Sequence, residues 1–342
     1  MYLESIKSPS DIKNYTAEKR LELAKEIRAA LLKRASIHGG HFGPDFGFVE
    51  ATIALHTVFN SPQDKFVFDI SHQAYSHKML TGRVQAYLEE EHYDDVSGYT
   101  NPEESEHDFF NVGHTSTSIS LATGMAKARD LKGDKENIVA IIGDGSMSGG
   151  EALEGLNVAG EMDSNLIILF NDNDMSIAEN HGGMYKGFQE LRETEGKSPR
   201  NLFKSMGLDY RFVKDGNDTE ALIKALAEVK DSNHPVVVHI VTQKGKGYKF
   251  AEENKEAWHW HMPFDIESGE ATVPFADPYA HFTATHLLEK MKEHKELAFI
   301  AAATPAAAGF YPERRKAAGK GLPRRLTAAG LVPDHHRRHP RH

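Results

Sequence analysis

The chain has 342 residues, of which 39% are hydrophobic and 26% are charged, a composition typical of a globular protein with a core. It contains no cysteine, which excludes disulfides and thiolate chemistry, and no apolar run approaches the roughly 20 residues that cross a bilayer. The net charge of −10 argues against nucleic acid as a partner, and the N-terminus has no apolar signal region. These features predict a cytoplasmic protein without membrane or nucleic-acid partners.

Two helices and one buried strand are predicted near the N-terminus. Apolar residues at helical spacing indicate an amphipathic helix over 16–37, and a second helix is expected over 48–59. A turn rich in Gly and His, which includes His41, separates them. The apolar run 66–70 is typical of a short buried strand, and the acidic segment 82–110 is expected to be a long surface excursion.

Strands and helices alternate in the centre of the chain. Continuous apolar runs, as in parallel strands covered on both faces, occur at 138–142 and 166–170. The segment 236–241, which contains His239, is expected to be a further strand. Helices are expected over 149–160 and 218–230. This alternation predicts an α/β fold with a doubly wound, mostly parallel sheet.

The C-terminal part predicts a linker and an incomplete second domain. The expected units are a first domain over 1–251, a linker over 252–280, the beginning of a second α/β domain over 281–320 and a tail over 321–342. The second domain would start with a helix over 281–294 and a strand over 297–302. The tail is rich in Arg, Pro and His with few apolar residues, so we expect it to be basic and disordered.

Two strand ends carry polar residues that suit a metal ion and a phosphate. Asp144 lies between two glycines after one central strand, and Asn173 follows the next strand. Ligands of open α/β sheets bind outside the carboxyl ends of the strands, where glycines and helix N-termini let backbone N–H groups reach a phosphate. Asp and Asn oxygens suit Mg²⁺, which completes its octahedron with phosphate and water oxygens. The GDG and NDN sequences at this spacing resemble the metal–diphosphate motif of thiamine-diphosphate enzymes.

Four further segments narrow this resemblance to one family. DISHQAYSHKMLTGR at 69–83, NVGHTSTSIS at 111–120, NDMSIAEN at 173–180 and KGKGY at 244–248 are each similar to a signature of the 1-deoxy-D-xylulose-5-phosphate synthases, which are transketolase-like enzymes. The segments follow the order of that family. The chain therefore resembles the N-terminal half of such a synthase, in truncated form.

The resemblance implies thiamine diphosphate and Mg²⁺ as cofactors and gives roles to particular residues. Mg²⁺ would be held by Asp144, the side chain of Asn173 and the carbonyl of Met175. The expected catalytic residues are His41, His72 and His114. The residues expected to bind the cofactor are His72, Gly113, His114, Thr115, Gly145, Ser146, Asn173 and Tyr248. Taken singly, any of these histidines would more often be structural or solvated, and Tyr248 is equally compatible with packing.

The implied reaction is the decarboxylation of pyruvate and ketol transfer to glyceraldehyde 3-phosphate, which supplies isoprenoid and thiamine synthesis. Histidines suit the proton transfers because their pKa lies near working pH. The family is dimeric, which implies a homodimer or a partner subunit that supplies the pyrimidine-binding domain. Pro44 and Asp45 depart from the small residues of the family's loop, which affects the expected shape of the substrate end.

The family's second domain carries a glutamate that protonates the aminopyrimidine of the cofactor. No glutamate follows Glu313 here, and the basic tail begins where the glutamate segment is expected. This change in composition indicates a frameshift or a truncated gene, a hypothesis that sequencing the locus in all frames would test.

Three functional hypotheses stay open. The chain is a synthase by descent whose isolated form is inactive, a non-catalytic Mg²⁺–thiamine-diphosphate-binding fragment, or the N-terminal subunit of a split transketolase-like enzyme. The segment 69–83 favours the synthase over a transketolase. A neighbouring gene for a pyrimidine-binding subunit would favour the split enzyme. The absence of such a gene would favour the hypothesis of a fragment.

Overall fold

A five-stranded parallel sheet forms the centre of the protein. The computed structural model describes residues 1–273, 278–294, 296–297, 299 and 304–317. The strands are β1 (Lys65–Phe68), β2 (Ile138–Gly143), β3 (Ile167–Asp172), β4 (Asp209–Val213) and β5 (Val236–Val241). Their order in the sheet is β1-β2-β3-β5-β4, and every neighbouring pair is parallel. The predicted α/β fold with a doubly wound parallel sheet is confirmed.

Seven longer helices surround this sheet in the part of the chain that is described. They are α1 (Ala17–His38), α2 (Gly43–Val58), α3 (Ser118–Lys132), α4 (Gly150–Ala159), α5 (Gly183–Glu193), α6 (Thr219–Val229) and α7 (Pro278–Glu293). Short helical turns lie at Leu3–Ser5, Pro9–Ile12, Tyr75–Lys78, Met79–Arg83, Gln85–Leu88, Glu90–His92, Asp144–Met147, Leu202–Ser205, Lys249–Glu253 and Pro312–Ala317. Among the described residues, no helix is both long and apolar enough to cross a membrane.

The central strands are buried because helices cover both faces of the sheet. One face packs on α2 and α6 through residues such as Phe48, Leu222 and Leu226. The other face packs on α3, α4 and α5 through residues such as Ile119 and Phe188. Full burial of each large apolar side chain contributes about 1.5–3 kcal/mol, which explains why these strands are continuous apolar runs.

Some elements differ from the sequence-based expectations, and others fall outside the described residues. Helix α2 begins at Gly43, five residues earlier than expected, because Pro44 fits the first turn of a helix, where its missing N–H is not needed. Strand β4 was not predicted, since this edge strand, DYRFV, mixes exposed charged residues with buried ones. The strand expected over 297–302 falls mostly outside the described residues, and the tail over 321–342 falls entirely outside them.

The beginning of the predicted linker packs into the core. Trp258 and Phe264 are buried in one cluster with Phe42 of the turn between α1 and α2. Gly40 and His261 exchange two backbone hydrogen bonds of 3.0 and 3.1 Å. A Cβ atom on Gly43 would lie 2.2 Å from the Trp258 carbonyl oxygen, so this close approach requires glycine. These contacts hold residues 258–264 against the start of α2.

Residues 97–112, here called the strap, cross the surface beside β1 and overlap the predicted surface segment 82–110. Asp108 is buried and accepts hydrogen bonds from Arg83 at 2.7 and 3.0 Å and from His77 at 3.1 Å. Glu104 accepts a hydrogen bond of 2.5 Å from the buried Lys78. Ser71 Oγ accepts from the backbone of Thr100 and donates to the carbonyl of Val112, at 3.0 Å each, which ties both ends of the strap. The excursion is thus anchored by buried ion pairs.

Buried histidines beneath the strap predict a loss of stability in mild acid. His56 Nε2 lies 2.9 Å from His77 Nδ1, and burial lowers the pKa of both side chains. The unfolded chain, with a histidine pKa of about 6.5, then binds more protons than the folded chain, and each such histidine costs up to about 1.4 kcal/mol per pH unit below this value. We expect the free energy of unfolding, measured by urea titration, to fall as the pH is lowered from 6.5 to 5.

The matched variant for this prediction is His56→Gln, which keeps a hydrogen-bonding side chain but does not titrate. Its unfolding free energy should fall less steeply over the same pH range. Equal slopes for the two proteins would contradict a role of His56. Asp108 affects stability in a different pH range, because the pKa of its carboxylate is lowered in the folded protein. Stability that depends on Asp108 is lost only below a pH of about 4, the pKa of Asp in the unfolded chain.

Candidate cofactor and metal site

A cavity of about 240 Å³ opens at the carboxyl ends of β2 and β3. Gly143 and Asn171 are paired in the register of these two strands, so the residues that follow them meet at one edge of the sheet. The predicted site residues that line the cavity are His41, His72, Gly113, Thr115, Asp144, Gly145, Ser146, Asn173 and Met175. The strap contributes Tyr99 to the lining. The structure thus brings together all but two of the predicted residues.

Oxygen atoms that suit a divalent cation lie at one end of the cavity. The buried carboxylate of Asp144 accepts hydrogen bonds from Gly145 N at 3.0 Å and from Asn180 Nδ2 at 2.8 Å. Among the described residues it forms no salt bridge. Burial, followed by the neighbouring carboxylate of Asp172, raises the pKa of Asp144 well above its ordinary value. Asn173 Oδ1 faces the same region and accepts from Met175 N at 3.2 Å. This donor set fits Mg²⁺, whose charge would stabilise the ionised Asp144.

The metal loop, defined here as residues 171–180, turns sharply beside Asp144. Asp174 has a φ of 60°, a left-handed conformation that Asp and Asn adopt more readily than most residues. Met175 then forms an isolated antiparallel bridge with Glu179. A Cβ atom on Gly145 would lie 3.0 Å from the Ser176 side chain, so glycine allows the loop to approach the Asp144 turn closely. The loop backbone therefore borders the cavity.

Three histidines lie at the other end of the cavity. The ring centroids are 5.1 Å apart for His41 and His72, 5.2 Å for His72 and His259, and 5.5 Å for His41 and His259. Burial lowers the pKa of all three rings, so they are neutral at pH 7. Within the described residues, neither ring nitrogen of His72 nor Nδ1 of His259 has a hydrogen-bond partner. Buried polar atoms without partners are costly, so these nitrogens are available to a ligand or to ordered water.

A buried lysine lies between the two ends. Lys244 lines the cavity and donates a hydrogen bond of 2.6 Å from Nζ to the Ser176 carbonyl. Burial lowers its pKa to about 7, while the Coulombic attraction of Asp144 acts in the opposite direction. An anionic group in the cavity would stabilise the charged form of this ammonium. The site thus offers a cation for a phosphate beside the oxygen ligands for a metal.

Two predicted residues lie away from the cavity. Tyr248 packs in the core with Phe42 and Trp258, and its hydroxyl donates a hydrogen bond of 3.0 Å to the Ile266 carbonyl. His114 is exposed, and its Nδ1 donates a hydrogen bond of 2.8 Å to the Thr115 carbonyl. The structure does not bring either side chain to the other predicted residues.

The sequence analysis missed Lys244 and His259. Lys244 follows β5, the third strand that ends at this edge, so the same strand-end reasoning that selected Asp144 could have found it. His259 lies in the predicted linker, in a Trp-His-Trp-His run that is at least as compatible with packing as with a site, and its position depends on the packing of Trp258.

Comparison with solved structures defines the class of fold. The transketolase from Leishmania mexicana matches with a TM-score of 0.53 at 21% identity, over 68% of this chain and 38% of that chain. A transketolase mutant from Pichia stipitis matches with a TM-score of 0.53 at 18% identity, over 77% of this chain and 42% of that chain. This protein therefore has the α/β fold of the transketolase class.

Sequence comparison identifies the family within this class. The model of the 1-deoxy-D-xylulose-5-phosphate synthase family matches residues 3–198 and 194–242. The synthase of Shouchella clausii is 39% identical over 98% of this chain, and that of Carboxydothermus hydrogenoformans is 38% identical over 96% of it. The chain belongs to the 1-deoxy-D-xylulose-5-phosphate synthase family. It spans 59% and 60% of the length of these two relatives. With 98% of the chain covered, the aligned region extends past residue 320 into the tail.

Proposed function

We propose that this chain is the cofactor-binding part of a 1-deoxy-D-xylulose-5-phosphate synthase. Its substrates would be pyruvate and glyceraldehyde 3-phosphate, and its cofactors thiamine diphosphate and Mg²⁺. The observation that carries the proposal is the cavity in which Asp144 and Asn173 face the unpartnered ring of His72. Family membership supports the same reaction. The proposal includes a cytoplasmic location, which rests on the composition of the chain.

The residues at the metal end would hold the charged part of the cofactor. Asp144, the Asn173 side chain and the Met175 carbonyl would bind Mg²⁺. The backbone of Gly145 and Ser146 would contact the diphosphate. Lys244 would add a positive charge, and its ammonium would be fully protonated beside the phosphate.

The histidines would act on the substrate. Thiamine diphosphate, when bound, supplies an acidic carbon that adds to a keto group and a cationic ring that accepts electrons. His72 has two free ring nitrogens, so one can donate a hydrogen bond to a substrate oxygen while the other accepts a proton. His41 and His259 border the same space. Because burial lowers the pKa of His72, this ring is neutral at working pH, as a proton acceptor must be, but its basicity is reduced.

A further domain or partner subunit would complete the site. No glutamate lines the cavity within the described part of the chain, so the proposal places the residue that protonates the aminopyrimidine outside these residues. This supports the proposal of a homodimer or of a complex with a subunit that carries the pyrimidine-binding domain. The same observation keeps the cofactor-binding fragment and the split transketolase-like enzyme as alternatives.

Calorimetric titration with thiamine diphosphate tests the proposal. We expect binding in Mg²⁺ and none in EDTA, because the metal joins the diphosphate to Asp144 and Asn173. Pyruvate consumption with glyceraldehyde 3-phosphate should be measured on the same sample. Binding without turnover would support a chain that needs the missing glutamate, and formation of 1-deoxy-D-xylulose 5-phosphate would show a complete site. The absence of binding in Mg²⁺ would contradict the proposal.

A further inference from the structure

We infer that Arg192 is a positioning residue that holds the metal loop in the shape that binds the cation. Its guanidinium group joins the carboxylates of Asp172 and Asp174, which lie on either side of Asn173. This inference rests on the proposed function, because it concerns the same Mg²⁺ site. Arg192 itself is not among the residues that line the cavity.

The contacts of Arg192 form a clamp across Asn173. Nη1 lies 2.8 Å from both carboxylate oxygens of Asp172, and Nη2 lies 2.6 Å from Asp174 Oδ1. The Asp172 side chain is 0% exposed, whereas that of Asp174 is 64% exposed. The clamp therefore ties the buried end of β3 to the exposed part of the loop. Arg192 lies in the last turn of α5, so this helix is fixed to the loop by the same contacts.

Asp172 is fixed from the sheet as well. His239 Nε2 on β5 donates to Asp172 Oδ2 at 2.9 Å, and Tyr210 OH on β4 lies 2.7 Å from His239 Nδ1. Asp172 thus has a rigid set of partners. Arg192 connects Asp172 to Asp174 and so fixes the part of the loop that follows Asn173.

The clamp matters because the loop is strained at Asp174. Its left-handed backbone places the Met175 N–H 3.2 Å from Asn173 Oδ1 and so sets the orientation of that oxygen. Without Arg192, the Asp174 carboxylate would lose its ion pair, and this conformation would compete with relaxed ones. Asn173 and the Met175 carbonyl would then be placed less accurately for an octahedral cation, which tolerates little distortion.

When Arg192 is removed, the loss of its charge and the loss of the clamp have opposite expected effects on the affinity for Mg²⁺. Loss of a nearby positive charge would strengthen the attraction of the site for a cation. Loss of the clamp would weaken binding, because the ligands would have to be ordered when the cation arrives. The positioning role therefore requires that the affinity for Mg²⁺ decreases in a variant without the guanidinium.

The experiment measures the dissociation constant for Mg²⁺ by calorimetry at a fixed, saturating concentration of thiamine diphosphate. In Arg192→Gln we expect this constant to rise about tenfold or more, as is typical when an outer-shell partner of a metal ligand is lost. Arg192→Lys retains the charge but has no fork to join two carboxylates, so we expect an intermediate loss. The matched control is Glu193→Gln, which removes a charge from the adjacent exposed position of α5 and should bind as wild type.

An unchanged or lower dissociation constant in Arg192→Gln would overturn the inference. If that variant does not fold, Arg192→Lys gives the answer, because it keeps the positive charge and removes only the planar group that joins the two carboxylates. A weaker affinity in Arg192→Lys would support the clamp, and a wild-type affinity would overturn it. Failure of the wild-type protein to bind Mg²⁺ with thiamine diphosphate would instead contradict the proposed function.

Discussion

Replacing Asp144 with alanine is expected to raise the dissociation constant for thiamine diphosphate in Mg²⁺ by about a hundredfold or more. Loss of an outer-shell partner already costs 10–100-fold in metal affinity, and loss of a direct ligand costs at least as much. Asp144 is also the buried carboxylate of the cavity that has no salt bridge among the described residues. Calorimetric titration in Mg²⁺ measures the effect. The matched control is Asp134→Ala, at an exposed position before β2, on the opposite edge of the sheet.

The Asp144 variant is also expected to keep its fold. Burial and the neighbouring Asp172 raise the pKa of Asp144, so its ionised form destabilises the metal-free protein at neutral pH. Asp144→Ala should therefore unfold at the same or a higher urea concentration than the wild type. Lost binding together with retained stability would identify a ligand of the metal. Binding with wild-type affinity would place the metal elsewhere.

Replacing Asp108 with alanine is expected to lower the free energy of unfolding by about 3–5 kcal/mol, the usual cost of removing one partner from a buried ion pair. The carboxylate is 0% exposed and bonds Arg83, His77 and the backbone N–H of Asn101. Without it, the Arg83 guanidinium retains only the longer contact of 3.4 Å to Glu104 as an ion pair. Urea unfolding at pH 7.5 measures the loss.

The control for the Asp108 variant is Asp94→Ala. Asp94 is 93% exposed and pairs with His38 on the surface, where such pairs contribute little. It should unfold at the wild-type urea concentration. Because the strap places Tyr99 at the cavity, Asp108→Ala is also expected to weaken the binding of thiamine diphosphate. Wild-type stability of this variant would show that the strap is held by its other contacts.

The central strands and the placement of Asp144 and Asn173 in one cavity could be predicted because their signals are local. Buried parallel strands are continuous apolar runs, and Asp144 and Asn173 directly follow two of them. The rule that ligands bind at the carboxyl ends of strands then places both at one edge. The family resemblance added His41 and His72, which the structure places in the same cavity.

The remaining features could not be predicted because they depend on contacts between distant segments. His259 reaches His41 only through the packing of Trp258 on the turn before α2. No local sequence pattern distinguishes Arg192 from an ordinary surface arginine, and its two acidic partners lie 18 and 20 positions earlier in the chain. Tyr248 lies in a segment similar to a family signature, but its ring is used for packing.

The packing of residues 258–264 against the start of α2 has a consequence for how the protein folds. The metal end is built from Asp144 to Asn180, a short stretch whose ends meet with a small loss of chain entropy. The histidine end requires His41 and His259 to meet across most of the chain, and the entropy lost in closing a loop grows with its length. Contacts between such distant segments are typical of slow steps in folding. The part of the cavity built from Asp144 to Asn180 can therefore form as a local unit, while the contact between His41 and His259 depends on a long-range closure of the chain.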